Sequence, residues 1–199
     1  MQFAARKRVR LPHWDVERGN YFVTFNLFDA MPAEYQFRMQ DERRIRIAEL
    51  ERLKERATPS EMHAIEQIIR ERAEEYLDLS AGACWMKEPC VAQLVADAIE
   101  HFDTERYLLF GWCVMPNHVH VLFRAGEPIV RTLHSWKSFT AKIANEKLGR
   151  RGEFWQHDYY DRSVRDQKEF MRTVQYIAEN PFAAGLRDWK WVKTYPDRF

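Results

Sequence analysis

Two histidines, His118 and His120, stand two residues apart in the stretch Cys113-Val-Met-Pro-Asn-His-Val-His-Val-Leu-Phe123. Side chains in a strand repeat every two residues, so both imidazoles point to one face. Val114, Val119, Val121, Leu122 and Phe123 around them favour a pleated strand. Two imidazoles side by side on a strand can hold one divalent cation. On a helix the same spacing would turn them about 200° apart, so the metal reading depends on the strand. The pair can equally pack as two histidines on a sheet surface. Near the other end, Val174-Gln-Tyr-Ile-Ala-Glu-Asn-Pro-Phe-Ala-Ala-Gly-Leu186 sets Tyr176 and Asn180 four residues apart. They lie one above the other on a helix face. Taken alone, they also read as a core-edge residue and a helix stop before Pro181.

The elements that must position these groups are legible in the hydrophobic pattern. Tyr21–Phe28 is dense in aromatic and β-branched residues and reads as a central strand. Residues 36–80 change composition sharply. Asp41–Arg56 places Ile45, Leu50 and Leu53 in a run of charge, and Thr58-Pro59-Ser60-Glu61 carries an N-cap and proline signature. A second helix follows through Met62, Ile65, Ile68, Ile69 and Leu77. This is an inserted, charged helical hairpin with no catalytic cluster evident in it, and such charge is usually solvated. A short helix over Val91–Phe102 comes next, then a strand over Tyr107–Val114 and its partner over Asn117–Phe123. A helix over Arg131–Leu148 buries Leu133, Trp136, Phe139, Ile143 and Ala144, and Gly149 stops it. Phe154–Gln156 and Tyr159–Val164 read as strand. Asp166 caps the last helix with Glu169 as capping-box partner, and Pro181 closes it. Without the insertion the order is βαββαβ. The fold class is therefore α+β: a ferredoxin-like antiparallel sheet with helices on one face. One domain over 1–199, with the hairpin at 36–80 and a basic segment at 1–12, is the simplest account.

Composition bounds the rest. The chain has 199 residues, 46% hydrophobic and 31% charged, an ordinary globular balance. Formal net charge is +1, from 31 basic and 30 acidic side chains. Such a sum argues weakly against a nucleic-acid protein. It hides the distribution, however: Arg6, Lys7, Arg8 and Arg10 cluster at the start, Lys137, Lys142, Lys147, Arg150 and Arg151 mark a second region, and acidic charge gathers in 40–80. Cys84, Cys90 and Cys113 lack Cys-x-x-Cys spacing and fit reduced thiols. No apolar run is long enough to span a bilayer, and the first ten residues lack a signal-peptide core. A cytoplasmic, nucleoid-associated protein without a membrane is expected.

The ordered motifs are more specific than any one of them. Arg10-Leu-Pro-His-Trp14, the His118/His120 strand, Leu133-His-Ser-Trp-Lys-Ser-Phe-Thr140, Phe154-Trp-Gln156, Tyr160-Asp-Arg162, Val164-Arg-Asp166, Tyr176-Ile177 and Asn180-Pro181 through Gly185-Leu186 occur in sequence. The Met115–Phe123 stretch resembles the metal-binding strand of the HUH nucleases and transposases, named for His-hydrophobic-His. From about Arg10 to Trp191 the chain resembles the REP-associated tyrosine transposases, single-tyrosine members of that group. Only the charged hairpin is loosely matched.

The resemblance implies Tyr176 as nucleophile on a C-terminal catalytic helix. It implies His118 and His120 as ligands of Mg²⁺ or Mn²⁺. It places Asn180 where a glutamine stands in insertion-element relatives, with Glu179 as the substitute were the helix rotated. An amide oxygen suits such a cation. The implied activity is cleavage and rejoining of single-stranded DNA next to palindromic repeat hairpins, through a 5′-phosphotyrosine that conserves bond energy. The expected partner is that hairpin DNA, bound by a monomer or homodimer. Arg6, Lys7, Arg8 and Arg10 could reach its phosphates, and Trp14, Trp136 and Trp155 could stack on bases or pack in the core. His13, His134 and His157 lack paired geometry. Tyr159 and Tyr160 are the rival nucleophiles. A repeat-binding regulator without transposition, and a water-using metal-dependent nuclease, are the alternative functions.

Overall fold

The first strand, β1 (Asn20–Asn26), is buried on both faces almost throughout, which demands a helical layer on either side. The computed structural model describes residues 19–53 and 58–198. After β1 come α1 (Ala33–Leu53), α2 (Pro59–Asp78), α3 (Pro89–Glu100), β2 (Tyr107–Val114), β3 (His118–Ala125), α4 (Ile129–Lys147), β4 (Tyr160–Val164), α5 (Gln167–Ala183) and β5 (Val192–Thr194). The sheet order is β4-β1-β3-β2-β5, with every pairing antiparallel. The first four strands are the ferredoxin-like arrangement that the sequence predicts. The three-residue β5 on the outer edge of β2 is an addition too short to be read from hydrophobic alternation.

Alternation divides the sheet into two faces. Tyr21, Val23 and Phe25 of β1 and Val119, Val121 and Phe123 of β3 join the main core with α3 and α4. Trp136 of α4 lies stacked 6.4 Å from Phe25 and edge-on to Tyr107 at 5.2 Å. The opposite face carries Phe22 and Leu122 with Phe110 and Cys113, and here α5 supplies Phe170 and Ile177. The expectation of helices on one face therefore holds for the two crossover helices only. The second face is too apolar to stay in water, and α5 covers it. Its approach is close. An added Cβ on Gly111 would stand 3.6 Å from Ile177 Cδ1 and 3.3 Å from Thr194 Cγ2, and the β2–β3 register shifts at this point. A bulge there turns both Phe110 and Gly111 toward α5.

The inserted hairpin is docked on the domain. Ile65, Ile69, Ala73 and Leu77 recur every four residues along α2, all buried in the main core cluster with Leu27, Ala30 and Met31. Thr58 caps α2 as the sequence predicts, and with Glu61 it forms a full capping box. The two helices hold each other through stacked Tyr35 and Tyr76 rings, 4.1 Å apart, and an Arg72–Glu42 ion pair. The first helix begins earlier than its charged run suggests, at Ala33.

Other expectations shift at element ends. Pro181 does not close α5. It lies in the last turn, where few backbone partners remain to lose. Gly185 closes the helix instead, with φ +79°. Gly185 N–H donates to Phe182 O at 3.0 Å, and Leu186 N–H to Pro181 O at 2.8 Å, the Schellman pattern. Asp166 caps the helix by accepting from Glu169 N–H at 2.8 Å. The Glu169 carboxylate pairs with Arg162 and accepts the Arg165 N–H, one residue before the cap, at 3.3 Å. Phe154–Gln156 makes a single bridge, Leu27 to Trp155, not a strand. Phe139 is exposed, not buried. Cys84, Cys90 and Cys113 are free thiols.

Candidate active site

β3 delivers the two histidines as the period-two argument requires. His118 and His120 are fully buried on the α5 face of the sheet, with their Nε2 atoms 3.0 Å apart. Neighbours fix both rings from behind. Asn117 Nδ2 donates to Ala81 O at 3.0 Å, which turns its Oδ1 toward His118 Nδ1 at 2.8 Å. An amide oxygen only accepts, so His118 carries its proton on Nδ1 and offers a bare Nε2 lone pair. His120 Nδ1 meets Thr24 Oγ1 of β1 at 2.9 Å, directly opposite in register. Phe22, two residues back, stacks 5.5 Å from the His120 ring. Burial pushes His118 down to about 3. Burial, with His118 beside it, also pushes His120 well below the usual imidazole range. Both rings are neutral, the form that ligates metals. Their other nitrogens are held as outer-shell partners hold ligating histidines.

α5 lies across this pair. Tyr176 Oη is 3.4 Å from His120 Nε2, and the Tyr176 ring stands edge-on to His120 with centroids 5.3 Å apart. One turn on, Asn180 is 3% exposed, and its Oδ1 is buried with no hydrogen-bond partner. Glu179 faces away, exposed and bonded to Gln175, which settles the rotation of the helix in favour of Asn180. Tyr160 pairs with Thr24 across β1 from His120. It is thus two strands away, on the order of 10 Å.

The inserted hairpin, in which the sequence shows no catalytic cluster, supplies the remaining wall. Asp78, the last residue of α2, has Oδ1 3.6 Å from His118 Nε2. Burial raises the Asp78 carboxyl to about 6, against the lowering effect of a hydrogen bond from Asn180. Four residues earlier on the same helix face, Glu74 accepts the Tyr176 hydroxyl proton in a hydrogen bond. Burial first, then the Glu74 and Asp78 charges, hold the Tyr176 phenol far above its usual range. An open groove of about 550 Å³ leads to Tyr176 between α2 and α5, with Gln67 and Glu71 on one side and Arg162 and Arg172 on the other. A second groove of about 490 Å³, by Cys90, Trp191 and Lys193, touches none of these residues.

The side chains fit a divalent cation. The Nε2 atoms of His118 and His120 converge to 3.0 Å, and Asn180, hydrogen-bonded to the Asp78 that stands beside them, carries an orphaned buried amide oxygen. Among the described residues no three His, Cys, Asp or Glu groups gather tightly enough to hold an ion by themselves, so the imidazoles need the Asn180 oxygen or a further partner.

Residues 85–180 match the model of the IS200-like transposase family. That stretch contains His118, His120, Tyr176 and Asn180. The segment is similar to the IS200-like transposases and makes up just under half of the chain. A Haemophilus influenzae protein assigned as a REP-associated tyrosine transposase is 24% identical over 114 residues, covering 49% of this chain and 63% of that protein. The match thus spans less than two thirds of that relative's length. A solved REP-associated tyrosine transposase bound to a REP hairpin has the same fold. Its TM-score is 0.51 at 14% identity, over 92% of this chain and 81% of that one. The family match begins after α2, so it leaves Glu74 and Asp78 outside.

Several predicted contacts resolve differently. Arg6, Lys7, Arg8 and Arg10, with His13 and Trp14, lie outside the described residues. Trp136 and Trp155 are core residues and offer no face to a base. Their indole N–H groups donate to Tyr107 Oη and Thr140 Oγ1, each at 2.9 Å. His134 is exposed, and His157 stands 3.4 Å from Asp158 at the surface. Sequence reasoning missed Thr24, Asn117, Glu74 and Asp78. Thr24 and Asn26 had a signal, being polar residues at period two in an otherwise apolar strand. Glu74 and Asp78 had none, because nothing sets them apart from the other charges of their helix.

Proposed function

We propose that this protein is a tyrosine-dependent transposase that nicks and rejoins single-stranded DNA beside palindromic repeat hairpins. The observation that carries the reading is the Tyr176 hydroxyl 3.4 Å from a buried neutral imidazole that shares its lone-pair space with a second. His118, His120 and Asn180 would hold Mg²⁺ or Mn²⁺, which when bound polarises a phosphate oxygen and offsets charge developing on it.

The rest belongs to the chain. Phe22 and His120 fix the Tyr176 ring, edge-on to both, so the phenol oxygen is aimed and little orientational freedom is left to lose. A phenol attacks poorly with its proton on. Glu74 already accepts that proton in a hydrogen bond, which leaves His120 Nε2 to the cation. Attack by Tyr176 Oη on phosphorus forms the tyrosine–phosphate bond and breaks the bond to the 3′ oxygen, which leaves as a hydroxyl with a proton. A second 3′-OH can reverse the step, returning the proton to Tyr176 and rejoining the strands without ATP. Arg172, exposed on the groove wall opposite α2, is placed to meet backbone phosphates, whereas Arg162 beside it is held by Glu169 and Thr173.

The test is trapping on a suicide oligonucleotide carrying a repeat hairpin. A covalent adduct whose peptide mass maps to Tyr176 supports the reading. Cleavage without any adduct would assign the site to water-using hydrolysis. Hairpin binding without cleavage would leave a regulator.

A further inference from the structure

We propose that the inserted hairpin is part of the metal centre: Asp78 of α2 is the anionic oxygen ligand that completes the His118–His120–Asn180 site. This rests on the cation reading of the two histidines. The set without Asp78 is electrically neutral, two uncharged imidazoles and an amide. A dication placed among fully buried neutral groups is left uncompensated in a poorly solvating pocket. Hard cations such as Mg²⁺ and Mn²⁺ take carboxylate oxygens by preference. Asp78 brings a carboxylate oxygen to 3.6 Å from His118 Nε2.

The spacing suits shared coordination. Ligands about 2.1 Å from one ion stand roughly 3.0 Å apart at a right angle and about 3.4 Å apart at a tetrahedral one. The His118–His120 distance of 3.0 Å and the Asp78–His118 distance of 3.6 Å lie at and just beyond these values. A rotation of the Asp78 side chain at the end of α2 closes the difference. The Asp78 Oδ1 and Asn180 Oδ1 atoms are both buried and lack a hydrogen-bond partner. Two acceptor-only oxygens left unsatisfied beside the paired imidazoles are what a cation would satisfy.

The backbone following α2 is built to hold Asp78 there. Asn117, which orients His118, also grips Ala81 O at 3.0 Å. Asp29 accepts Ala83 N–H at 2.8 Å. Gly82, at φ +85°, lets this turn press against Asp29, whose carbonyl oxygen would stand 2.6 Å from any added Cβ. The α2 terminus is thus tied to the residue that sets the His118 tautomer.

The experiment is Mn²⁺ titration of the full chain without DNA, read by the loss of the free-ion EPR signal. Wild type is expected to bind one ion, and His118→Ala to lose it. Asp78→Asn, which keeps shape and removes charge, is expected to weaken binding about tenfold or more. Glu75→Gln removes an exposed neighbouring charge on the same turn and is expected to bind as wild type does. Circular dichroism checks each fold, and Asp78→Ala gives the same reading should the amide misfold. Wild-type affinity in the Asp78 variants, with His118→Ala defective, overturns the role of Asp78 and leaves the histidine site standing. An equal loss in Glu75→Gln also overturns it, since general field effects would then explain the result. Undiminished binding by His118→Ala overturns the cation reading itself.

Discussion

In the proposed mechanism the chemistry turns on Tyr176. Its hydroxyl is shared between Glu74 and His120, so Tyr176→Phe deletes a reactive group and little packing. That variant should fold, bind repeat-hairpin DNA and form no covalent adduct. Tyr160→Phe should still form one, because Tyr160 sits across β1 from the histidines; an adduct mapped to residue 159 or 160 would move the nucleophile to β4. For the metal, His118→Ala or His120→Ala should abolish cleavage and spare hairpin binding. Wild-type cleavage should vanish with a chelator, and activity indifferent to chelation would remove the cation from the mechanism. Asn117 acts through His118. Asn117→Ala frees the ring to change tautomer and should lower metal affinity about 10- to 100-fold, measurable by the same Mn²⁺ titration.

At the scale of elements, α5 and α2 face each other over the groove, and each has a checkable anchor. Asp166 accepts the Glu169 N–H at the start of α5. Asp166→Ala should cost roughly 1 kcal/mol in urea unfolding, with no change in metal binding. The hairpin α1–α2 is a larger matter. Dense charge and the absence of a catalytic signature make it look dispensable in the sequence. The structure buries Ile65, Ile69, Ala73 and Leu77 in the main core and sets Glu74 and Asp78 at the site. Replacing 33–78 with a Gly-Ser bridge should therefore lower stability and eliminate adduct formation together. A stable, fully active deletion would return the hairpin to a surface role.

For the whole molecule, the near-zero net charge conceals an uneven surface. The groove sets Glu71, Glu74, Asp166 and Glu169 against Arg162 and Arg172, so its net pull on phosphate is small. Strong binding then has to draw on cations elsewhere, and the Arg6–Arg10 cluster is the densest in the chain. Deleting residues 1–10 removes four cationic side chains and should flatten the slope of log affinity against log salt by up to about 3 to 4. An unchanged slope would show that this segment does not touch DNA. No described helix is long and apolar enough to cross a membrane.

What the sequence determined by itself was whatever depends on local period and short spacing. His118 and His120 share a face because a strand repeats every two residues. Tyr176 and Asn180 align because a helix returns at four, and the order of periodic segments names a βαββαβ sheet. Caps at Thr58 and Asp166 were legible because they involve residues three apart. The tertiary structure decided what depends on distance through space. Only packing shows that α5 crosses the sheet on the histidine side, because the apolar Phe22, Leu122 and Phe110 face needs a cover. The same packing shows that Trp136 and Trp155 are interior. Glu74 and Asp78 were invisible among the other charges of their helix, since a solvated carboxylate and a buried one have the same letter. Their roles arise from the docking of a four-residue apolar stripe some forty residues away from the histidines in sequence, and that contact has no local signature.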